Sequence, residues 1–332
     1  MKVLVTGADG FLGSNLIRHL LVAGHKVKAL IHSDKDYDAL SGLKVDKLKG
    51  DVLSPKSIDK AMAGIDAVFH LASLYKFYPW WQKKAGQIYK VNVQGTRNVL
   101  KAAKKNNIKR FIFTSSIASL GKQLGKKPSD ETTVLNLKSR ISHYARSKVL
   151  AENEVLSFVR QGLPAIILNP AALIGERDFK PTPTGQMIID FLNHKLPVTF
   201  NGMIPLADVD DVARAHLVAL DRGRVGERYI LCNNRAYPLK ELFYLVEQIS
   251  GVSAPRLKIP YPLLMSFLYF DEVFSYFLKK RPLLSSSAAR FFRRATVFDN
   301  SKAARELSYA TTPITTSLEK AVNWYKENSY VQ

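Results

Sequence analysis

Short apolar runs alternate with longer stretches in which apolar side chains recur at helical spacing. The first run, residues 2–6, precedes residues 11–23, where apolar positions repeat every three to four residues. The same alternation continues through the first half of the chain. We predict further strands at residues 27–31, 47–50, 67–72, 110–115 and 165–169, and helices at residues 55–63, 86–106 and 142–161.

Three glycines, Gly7, Gly10 and Gly13, lie in the turn between the first strand and the first helix. Gly7 can adopt backbone angles closed to other residues, Gly10 lets the main chain approach a pyrophosphate, and Gly13 permits close helix–strand packing. The N-terminus of the helix presents free N–H groups to phosphates. The spacing is Gly-x-x-Gly-x-x-Gly, and this context predicts a dinucleotide site.

Strands that alternate with helices are typical of a parallel sheet covered on both faces. We therefore predict an α/β fold, a Rossmann-type doubly wound sheet with a smaller, mostly helical C-terminal substrate lobe. Residues 1–170 form the predicted NAD(P)-binding domain, and residues 171–332 form mainly the substrate-binding lobe. Part of that lobe, about residues 205–232, is expected to return to the Rossmann core. Ligands are expected at the carboxyl edge of the sheet.

Tyr144 and Lys148 lie four residues apart in a predicted helix, so their side chains share one face. A nearby ammonium favours the phenolate and lowers the pKa of a tyrosine, which suits a group that donates and accepts protons. Ser116, at the end of a predicted strand, could donate a hydrogen bond to the substrate oxygen and stabilise its developing charge. An ordinary solvated helix pair is the alternative interpretation, but the glycine turn upstream favours catalysis.

These motifs resemble the extended short-chain dehydrogenases/reductases, the superfamily of NAD-dependent epimerases/dehydratases. The resemblance extends over nearly the whole chain and is weakest over residues 255–298. Within this superfamily the motifs most resemble the dihydroflavonol-4-reductase-like branch, and within that branch the hopanoid-associated sugar epimerase-type proteins. The matching segments include residues 6–13, 50–52, 70–73, 91–96, 113–116, 144–148, 169–178, 180–185, 208–213 and 301–307.

The resemblance implies roles for individual residues. Ser116, Tyr144 and Lys148 would be catalytic, and Ser73, Tyr75, Ser116 and Asn169 would bind substrate. No metal site is expected. The residues implied in cofactor binding are Gly7, Gly10, Phe11, Leu12, Gly13, His32, Lys35, Asp51, Val52, Leu71, Ala72, Ser73, Thr114, Tyr144, Lys148, Pro170 and Leu173.

The end of the second predicted strand decides between the two nicotinamide cofactors, because an acid there binds the ribose of NAD and a base accommodates the 2′-phosphate of NADP. Ile31 stands where NAD-dependent epimerases usually carry the acid, and His32 where reductases commonly have arginine. Lys35 is close, although Asp34 and Asp36 weaken the case. NADP is favoured over NAD, and Asp51 is assigned to the adenine.

The chain has 49 Lys and Arg against 28 Asp and Glu, a formal net charge of +21. An ordinary solvated positive surface is the favoured interpretation of this excess. The same balance also suits acidic partners, among them NADP, phosphorylated substrates and an anionic membrane surface. No nucleic-acid-binding motif accompanies it, so nucleic acid is not an expected partner. The single cysteine, Cys232, indicates a reducing compartment. Because the first strand begins at once, we expect no signal peptide and a cytoplasmic protein.

Residues 261–277 are strongly apolar, but Asp271 and Glu272 interrupt them, and the segment is too short to span a bilayer. Basic residues flank it at 279–281 and 293–294. We expect a helical cap over the substrate cleft, a peripheral contact with an anionic membrane, or both.

The substrate is the least specified feature of the sequence. Asn169 and Ala172 replace the arginine and the asparagine of the pattern common in nucleotide-sugar epimerases. Aromatic residues 75–81 would either cover an apolar substrate or pack beneath a loop. We predict an NAD(P)-dependent oxidoreductase that reduces a ketone or aldehyde or oxidises a secondary alcohol. The family resemblance implies a homodimer built on the helices at 86–106 and 142–161. The alternatives are a sugar epimerase or dehydratase with retained NAD and, less favoured, a non-enzymatic NADP sensor.

Overall fold

The structure is a computed structural model that describes residues 1–32, 39–75, 85–123, 127–137, 141–278, 285–294 and 296–332. Its larger sheet has seven parallel strands, in the order β10-β6-β5-β4-β1-β2-β3. These are β1 (Lys2–Thr6), β2 (Lys26–Ile31), β3 (Asp46–Lys49), β4 (Ala67–His70), β5 (Arg110–Thr114), β6 (Ala165–Pro170) and β10 (Arg228–Leu231).

Helices cover both faces of this sheet. They are α1 (Phe11–Val22), α2 (Pro55–Met62), α3 (Ala85–Tyr89), α4 (Thr96–Lys105), α5 (His143–Val159), α7 (Val209–Arg222) and α11 (Ser301–Leu307). A π-helical segment, Lys90–Gly95, joins α3 to α4, and a 3₁₀ turn, Ile117–Ser119, follows β5. Alternate residues of β1 explain the two layers, since Val3 and Val5 pack with α1 and α7, and Leu4 packs with α2, α4 and α5. The predicted doubly wound α/β fold is confirmed.

The rest of the chain builds a smaller lobe with its own buried cluster. A three-stranded sheet contains β7 (Ala172–Ile174), β9 (Met203–Asp208) and β11 (Ala236–Pro238), and a two-stranded sheet pairs β8 (Val198–Thr199) with β12 (Leu257–Lys258). The helices are α6 (Pro183–Leu192), α8 (Leu239–Ser250), α9 (Tyr261–Phe277), α10 (Ser286–Arg294) and α12 (Ile314–Glu327).

The chain crosses between the two parts more than once. After β9 in the smaller lobe, α7 packs on α1 and β10 pairs in parallel with β6. Residues 209–231 therefore lie with the larger sheet, whereas residues 205–208 belong to the three-stranded sheet. The domain boundary at residue 170 stays a prediction.

The order of the strands reverses between β1 and β4, which are hydrogen-bonded neighbours. Crossovers leave β1 toward one side of the sheet and β4 toward the other, so a crevice opens at their carboxyl ends. Gly7 to Gly10, Leu71 to Ser73 and the residues after β5 all follow strands at this edge.

Candidate functional site

The glycine turn between β1 and α1 is tightly packed at two of its three glycines. Gly7 has φ +66°, and a Cβ there would lie 2.8 Å from the backbone nitrogen of Ala72. A Cβ on Gly13 would lie 2.2 Å from the carbonyl oxygen of Gly7. Both positions therefore require glycine because backbone atoms of the protein itself leave no room for a Cβ. This close packing holds the start of α1 against the end of β1.

Gly10 is different, because a Cβ there would meet only the Gly7 carbonyl oxygen, at 3.2 Å. It is the N-cap residue of α1, where no side chain caps the helix and no acidic residue lies in the first turn. Asp9, just before Gly10, is paired with Lys180 at 2.6 Å. The first-turn N–H groups and the positive end of the helix dipole therefore face the crevice without an unpaired carboxylate beside them. A dinucleotide pyrophosphate fits this turn, with Phe11 and Leu12 in the first helical turn behind it.

The far end of the crevice lies beside β2 and β3. The His32 imidazole Nε2 is 3.6 Å from a carboxylate oxygen of Asp51, and the His32 side chain is 76% exposed. Asp51 also accepts a hydrogen bond from the Leu53 N–H, and Val52 is buried beside Gly95. Lys35, the other basic residue predicted to contact the cofactor, lies outside the described residues. The preference for NADP therefore stays a prediction.

Asn92, in the π-helical segment, holds the loop that follows β4. Its side-chain oxygen accepts hydrogen bonds from the Ser73 hydroxyl (3.2 Å) and the Leu74 N–H (2.7 Å), and its amide donates to the Ser147 hydroxyl (2.9 Å). Leu71 and Ala72 are tied to Thr6 through their N–H groups. Asn92 belongs to the motif at residues 91–96, but no role was predicted for it from the sequence.

Ser116, Tyr144 and Lys148 come together at the ends of β5 and α5. The Tyr144 and Ser116 side chains are hydrogen-bonded, and the Lys148 Nζ lies 5.9 Å from the centroid of the Tyr144 ring. Lys148 donates to the carbonyl oxygen of Thr114 at 2.9 Å, which fixes its ammonium under the strand end. The predicted catalytic residues are thus neighbours, and their roles stay a proposal.

Burial dominates the protonation of this group. It raises the pKa of Tyr144 to about 12, although the hydrogen bond with Ser116 acts in the opposite direction. Burial also lowers the pKa of Lys148 to about 8, against the attraction of Glu152. The sequence-based expectation was a tyrosine pKa lowered by the lysine, and in the structure desolvation of the phenolate outweighs that effect.

A buried carboxylate, Glu152, lies one helical turn beyond Lys148 on the same face of α5. Its Oε1 accepts from the Asn169 amide (2.7 Å) and lies within hydrogen-bonding distance of the Ser115 (2.5 Å) and Ser119 (2.6 Å) hydroxyls. Arg228 Nε donates to its other oxygen at 2.8 Å. Glu152 was not among the predicted site residues, although its spacing of four from Lys148 and eight from Tyr144 was a signal for it in the sequence.

Two of the predicted site residues, Ser116 and Asn169, lie beside this cluster. Ser115 turns into the cluster, whereas Ser116 keeps a partly exposed side chain, which agrees with the choice of Ser116 as the candidate catalytic hydroxyl. Asn169 is fully buried and donates to the Ser116 carbonyl oxygen at 3.1 Å. It therefore supports Ser116 from below, and its predicted contact with substrate finds no support in this burial. Pro170 is buried at the end of β6, and Leu173 is half-buried in β7.

Two buried histidines tie the strand ends to the helices. Thr96 donates to the Asn92 carbonyl oxygen, so the His70 Nε2–H must donate to Thr96, and its Nδ1 accepts from Thr6. His216 Nδ1–H donates to the Val212 carbonyl oxygen, and its Nε2 accepts from Thr114. Burial lowers the pKa of His70 to about 3 and that of His216 to about 4, so both rings are neutral at neutral pH.

We expect His216 to make the fold acid-sensitive. An unfolded chain binds a proton at this histidine near pH 6.5, whereas the native state does so only near pH 4. Stability therefore falls as the pH drops through this interval, and the His216 share between pH 7 and pH 5 is about 2 kcal/mol. Urea denaturation of His216→Asn should show a pH-dependent loss smaller by that amount. His194→Asn, at an exposed position, should keep the wild-type dependence, and an unchanged dependence in His216→Asn would refute the assignment.

Tyr75 packs against the catalytic candidate, with its ring centroid 4.7 Å from that of Tyr144. Burial raises the pKa of Tyr75. The remainder of the predicted aromatic cover, residues 76–81, lies outside the described residues. In the smaller lobe, a cavity of about 630 Å³ is lined by Phe200, Tyr261, Lys240, Lys258 and Arg293, among others.

Comparison with known proteins gives relatives along the full chain. Residues 3–232 match the profile of the NAD dependent epimerase/dehydratase family. The chain is 36% identical to a dihydroflavonol 4-reductase-like protein of Synechocystis sp., covering 99% of this chain and 95% of that protein. It is 30% identical to sterol demethylase protein B of Methylococcus capsulatus, covering 100% of both chains.

Solved structures agree with these relatives. The crystal structure of gox2253 superposes with a TM-score of 0.86 at 35% identity, covering 99% of each chain. UDP-glucose 4-epimerase of Thermotoga maritima, solved with UDP-glucose, shares the fold with a TM-score of 0.81 at 21% identity, covering 99% of this chain and 100% of that one. The chain therefore belongs to the NAD-dependent epimerase/dehydratase family, within the extended short-chain dehydrogenase/reductase superfamily.

Proposed function

We propose that this family member is an NADP-preferring reductase that converts a ketone or aldehyde into an alcohol, or catalyses the reverse oxidation. The observation that carries the proposal is the hydrogen-bonded pair of Tyr144 and Ser116 with the Lys148 ammonium beneath it, at the same sheet edge as the glycine turn. The 36% identical relative bears a reductase name, which favours the same chemistry.

In this proposal the glycine turn and the loop after β4 would hold a nicotinamide dinucleotide, which in its reduced form would supply a hydride for the carbonyl carbon. Tyr144 donates its phenolic proton to the carbonyl oxygen, so that hydride and proton together convert the carbonyl to an alcohol. Ser116 donates a hydrogen bond to the same oxygen and stabilises the charge that develops there. Lys148, held by Thr114, stabilises the tyrosinate that forms until solvent returns a proton.

The protonation of the site favours reduction at neutral pH. With a pKa of about 12, Tyr144 carries its proton and is ready to donate it, and with a pKa of about 8, Lys148 is largely a cation. Oxidation needs a phenolate as base, and burial opposes that form. The alcohol-oxidising direction would therefore gain from alkaline pH.

An apolar substrate is the proposed class. The Tyr75 ring lies against Tyr144, and Ala172 stands where nucleotide-sugar epimerases usually have an asparagine. The Asn169 side chain is fully buried, and its amide nitrogen donates to the Glu152 carboxylate at 2.7 Å. The name of the Methylococcus capsulatus relative refers to sterols, which are large and apolar. A polycyclic or isoprenoid ketone fits these observations.

A nucleotide-sugar epimerase is the second candidate, and the cavity in the smaller lobe favours it. Lys240, Lys258 and Arg293 line that cavity together with Phe200 and Tyr261, and such a set suits a diphosphate attached to an aromatic base. An epimerase would retain NAD and show no net redox change. Mass spectrometry of the cofactor released from purified protein separates the candidates, since bound NAD supports the epimerase and NADP the reductase.

We expect NADPH to bind more tightly than NADH, because His32 is exposed at the end of β2 and no acid occupies position 31. Ile31→Asp should reverse the preference, since a carboxylate accepts the ribose hydroxyl and repels a 2′-phosphate. Nicotinamide fluorescence titration with both cofactors measures the ratio of dissociation constants, for which we expect a change of about tenfold or more. Ile31→Asn is the uncharged control, and tighter NADH binding by the wild type would refute the prediction.

The proposed partners are a small-molecule substrate, a second copy of the chain and an anionic membrane surface. The homodimer would use α4 and α5, which pack side by side. A cytoplasmic location is proposed from the single cysteine, which is buried and free.

A further inference from the structure

Helix α9 exposes an apolar stripe where a surface helix normally exposes polar residues. Leu263, Phe267, Phe270, Phe274 and Phe277 recur every three to four residues and so lie along one face. Their exposed fractions are 64%, 48%, 69%, 54% and 76%. Val273 and Leu278 widen the stripe with 46% and 48% exposure. Large contiguous apolar surfaces of this kind mark interaction sites.

The opposite face of α9 already holds the helix on the smaller lobe. Leu264, Leu268, Glu272 and Ser275 are buried there. The Glu272 carboxylate accepts a hydrogen bond from the Ser286 N–H at 2.6 Å, which ties α9 to the start of α10. The exposed stripe and the packing face of α9 are therefore two separate sets of residues.

The segment that carries the stripe is rich in cations and poor in carboxylates. Residues 255–298 contain eight Lys or Arg and two acidic residues, Asp271 and Glu272, of which Glu272 is buried. Arg256 and Lys258 are exposed just before α9. On α10, Arg293 lies with its guanidinium carbon 4.0 Å from the centroid of the Tyr261 ring, and Arg290 is hydrogen-bonded to Tyr269.

Charge and shape together identify the occupant. A second copy docked on this stripe would bring two basic segments together in a protein of net charge +21, which Coulomb repulsion disfavours. A surface of anionic lipid headgroups over acyl chains complements both features, since the acyl chains take up phenylalanine side chains and the headgroups attract a basic segment. The stripe runs from Leu263 to Phe277, about 21 Å at the helical rise, and lies along the helix axis.

We propose that α9 is an interfacial helix that docks the protein on an anionic bilayer, with Leu263, Phe267, Phe270, Phe274 and Phe277 inserted among the acyl chains. In the described part of the chain, no helix is long and apolar enough to cross a bilayer, so α9 lies in the plane of the interface. Its first residue, Tyr261, also lines the 630 Å³ cavity of the smaller lobe.

Vesicle flotation of the purified full chain tests this proposal. We expect partitioning onto vesicles of phosphatidylcholine mixed with phosphatidylglycerol, weaker binding to phosphatidylcholine alone, and a loss of affinity with added salt. The variant F267S/F270S/F274S should partition about tenfold more weakly or worse, since burial of one phenylalanine alone contributes roughly that factor. Circular dichroism of the variant verifies that it is folded.

The matched control is V22S/V134S/V225S, which removes three exposed apolar side chains elsewhere on the surface and should bind vesicles like the wild type. Equal vesicle binding by F267S/F270S/F274S and the wild type would overturn the proposal. Failure of the wild type to bind the anionic vesicles would also overturn the proposal. Sedimentation velocity measures the oligomeric state of the same proteins. A concentration-dependent oligomer in the wild type and in V22S/V134S/V225S, but not in F267S/F270S/F274S, would assign the stripe to a second copy instead. None of these outcomes depends on the proposed reaction.

Discussion

Tyr144→Phe should lower kcat by about 10²–10⁴-fold and leave the dissociation constant of the cofactor nearly unchanged. The substitution removes the phenolic proton and keeps the ring, so the contact with Tyr75 (centroids 4.7 Å apart) and the surroundings of Lys148 persist. Since Tyr144 is buried, the lost hydroxyl leaves Ser116 without this hydrogen bond. Stopped-flow measurement of NADPH oxidation with a hydrophobic ketone gives kcat, and fluorescence titration gives the cofactor affinity.

Tyr89→Phe is the matched control for this experiment. The Tyr89 hydroxyl lies 2.9 Å from the His143 Nδ1, outside the cluster of Ser116, Tyr144 and Lys148, so its loss should change kcat only slightly. A Tyr144→Phe enzyme within about tenfold of wild-type kcat would remove Tyr144 from the proton-transfer step. Interconversion of a nucleotide sugar without added NADPH would instead support the epimerase.

The Rossmann part was predictable because its sequence signals are local. Strand β1, the glycine turn and α1 follow one another within about twenty residues, and strands such as β1 and β5 contain unbroken apolar runs. Gly7 and Gly13 show the reason for the motif directly, since a Cβ at either position would collide with backbone atoms. Sequence patterns find such constraints because a single residue type satisfies them.

The support beneath the candidate site depends on contacts between distant parts of the chain. Glu152 bonds Asn169 and Arg228, which lie 17 and 76 residues away in sequence, and nothing in the local pattern pairs them. Asn169 was assigned to substrate from its motif, but the structure shows it bonded to this carboxylate. The pKa of Tyr144 was misjudged for a similar reason, because burial is a property of the fold and the spacing of two residues does not reveal it.

The smaller lobe was predicted only in outline. Strands β8 and β12 have two residues each, which is too short for a period to appear. Helix α9 is apolar on nearly all sides, so its sequence does not distinguish its packing face from its exposed stripe. The structure separates them, because Leu264 and Leu268 are buried while Phe267 and Phe270 are exposed.

Glu152→Gln should move the alkaline limb of the kcat/KM profile to lower pH. Glu152 raises the pKa of Lys148, which burial has lowered to about 8, so removing its charge lowers that pKa further. A deprotonated Lys148 no longer stabilises the tyrosinate, and activity should then fail at a pH where the wild type still works. If the limb moves by one unit, activity at pH 8 falls about fivefold, with little change at pH 6.

The same substitution tests whether Glu152 positions Lys148 or only holds the fold. Gln would place an amide N–H against the Arg228 Nε, now 2.8 Å from a carboxylate oxygen, and leave a donor unpaired at a cost of about 1–3 kcal/mol. Lower stability with an unmoved pH limb would therefore make Glu152 purely structural. Glu154→Gln removes one carboxylate two residues away, from an ion pair with Arg97 (2.6 Å), and should leave the pH limb in place. A positioning role for Glu152 requires that the limb move in Glu152→Gln and stay in Glu154→Gln.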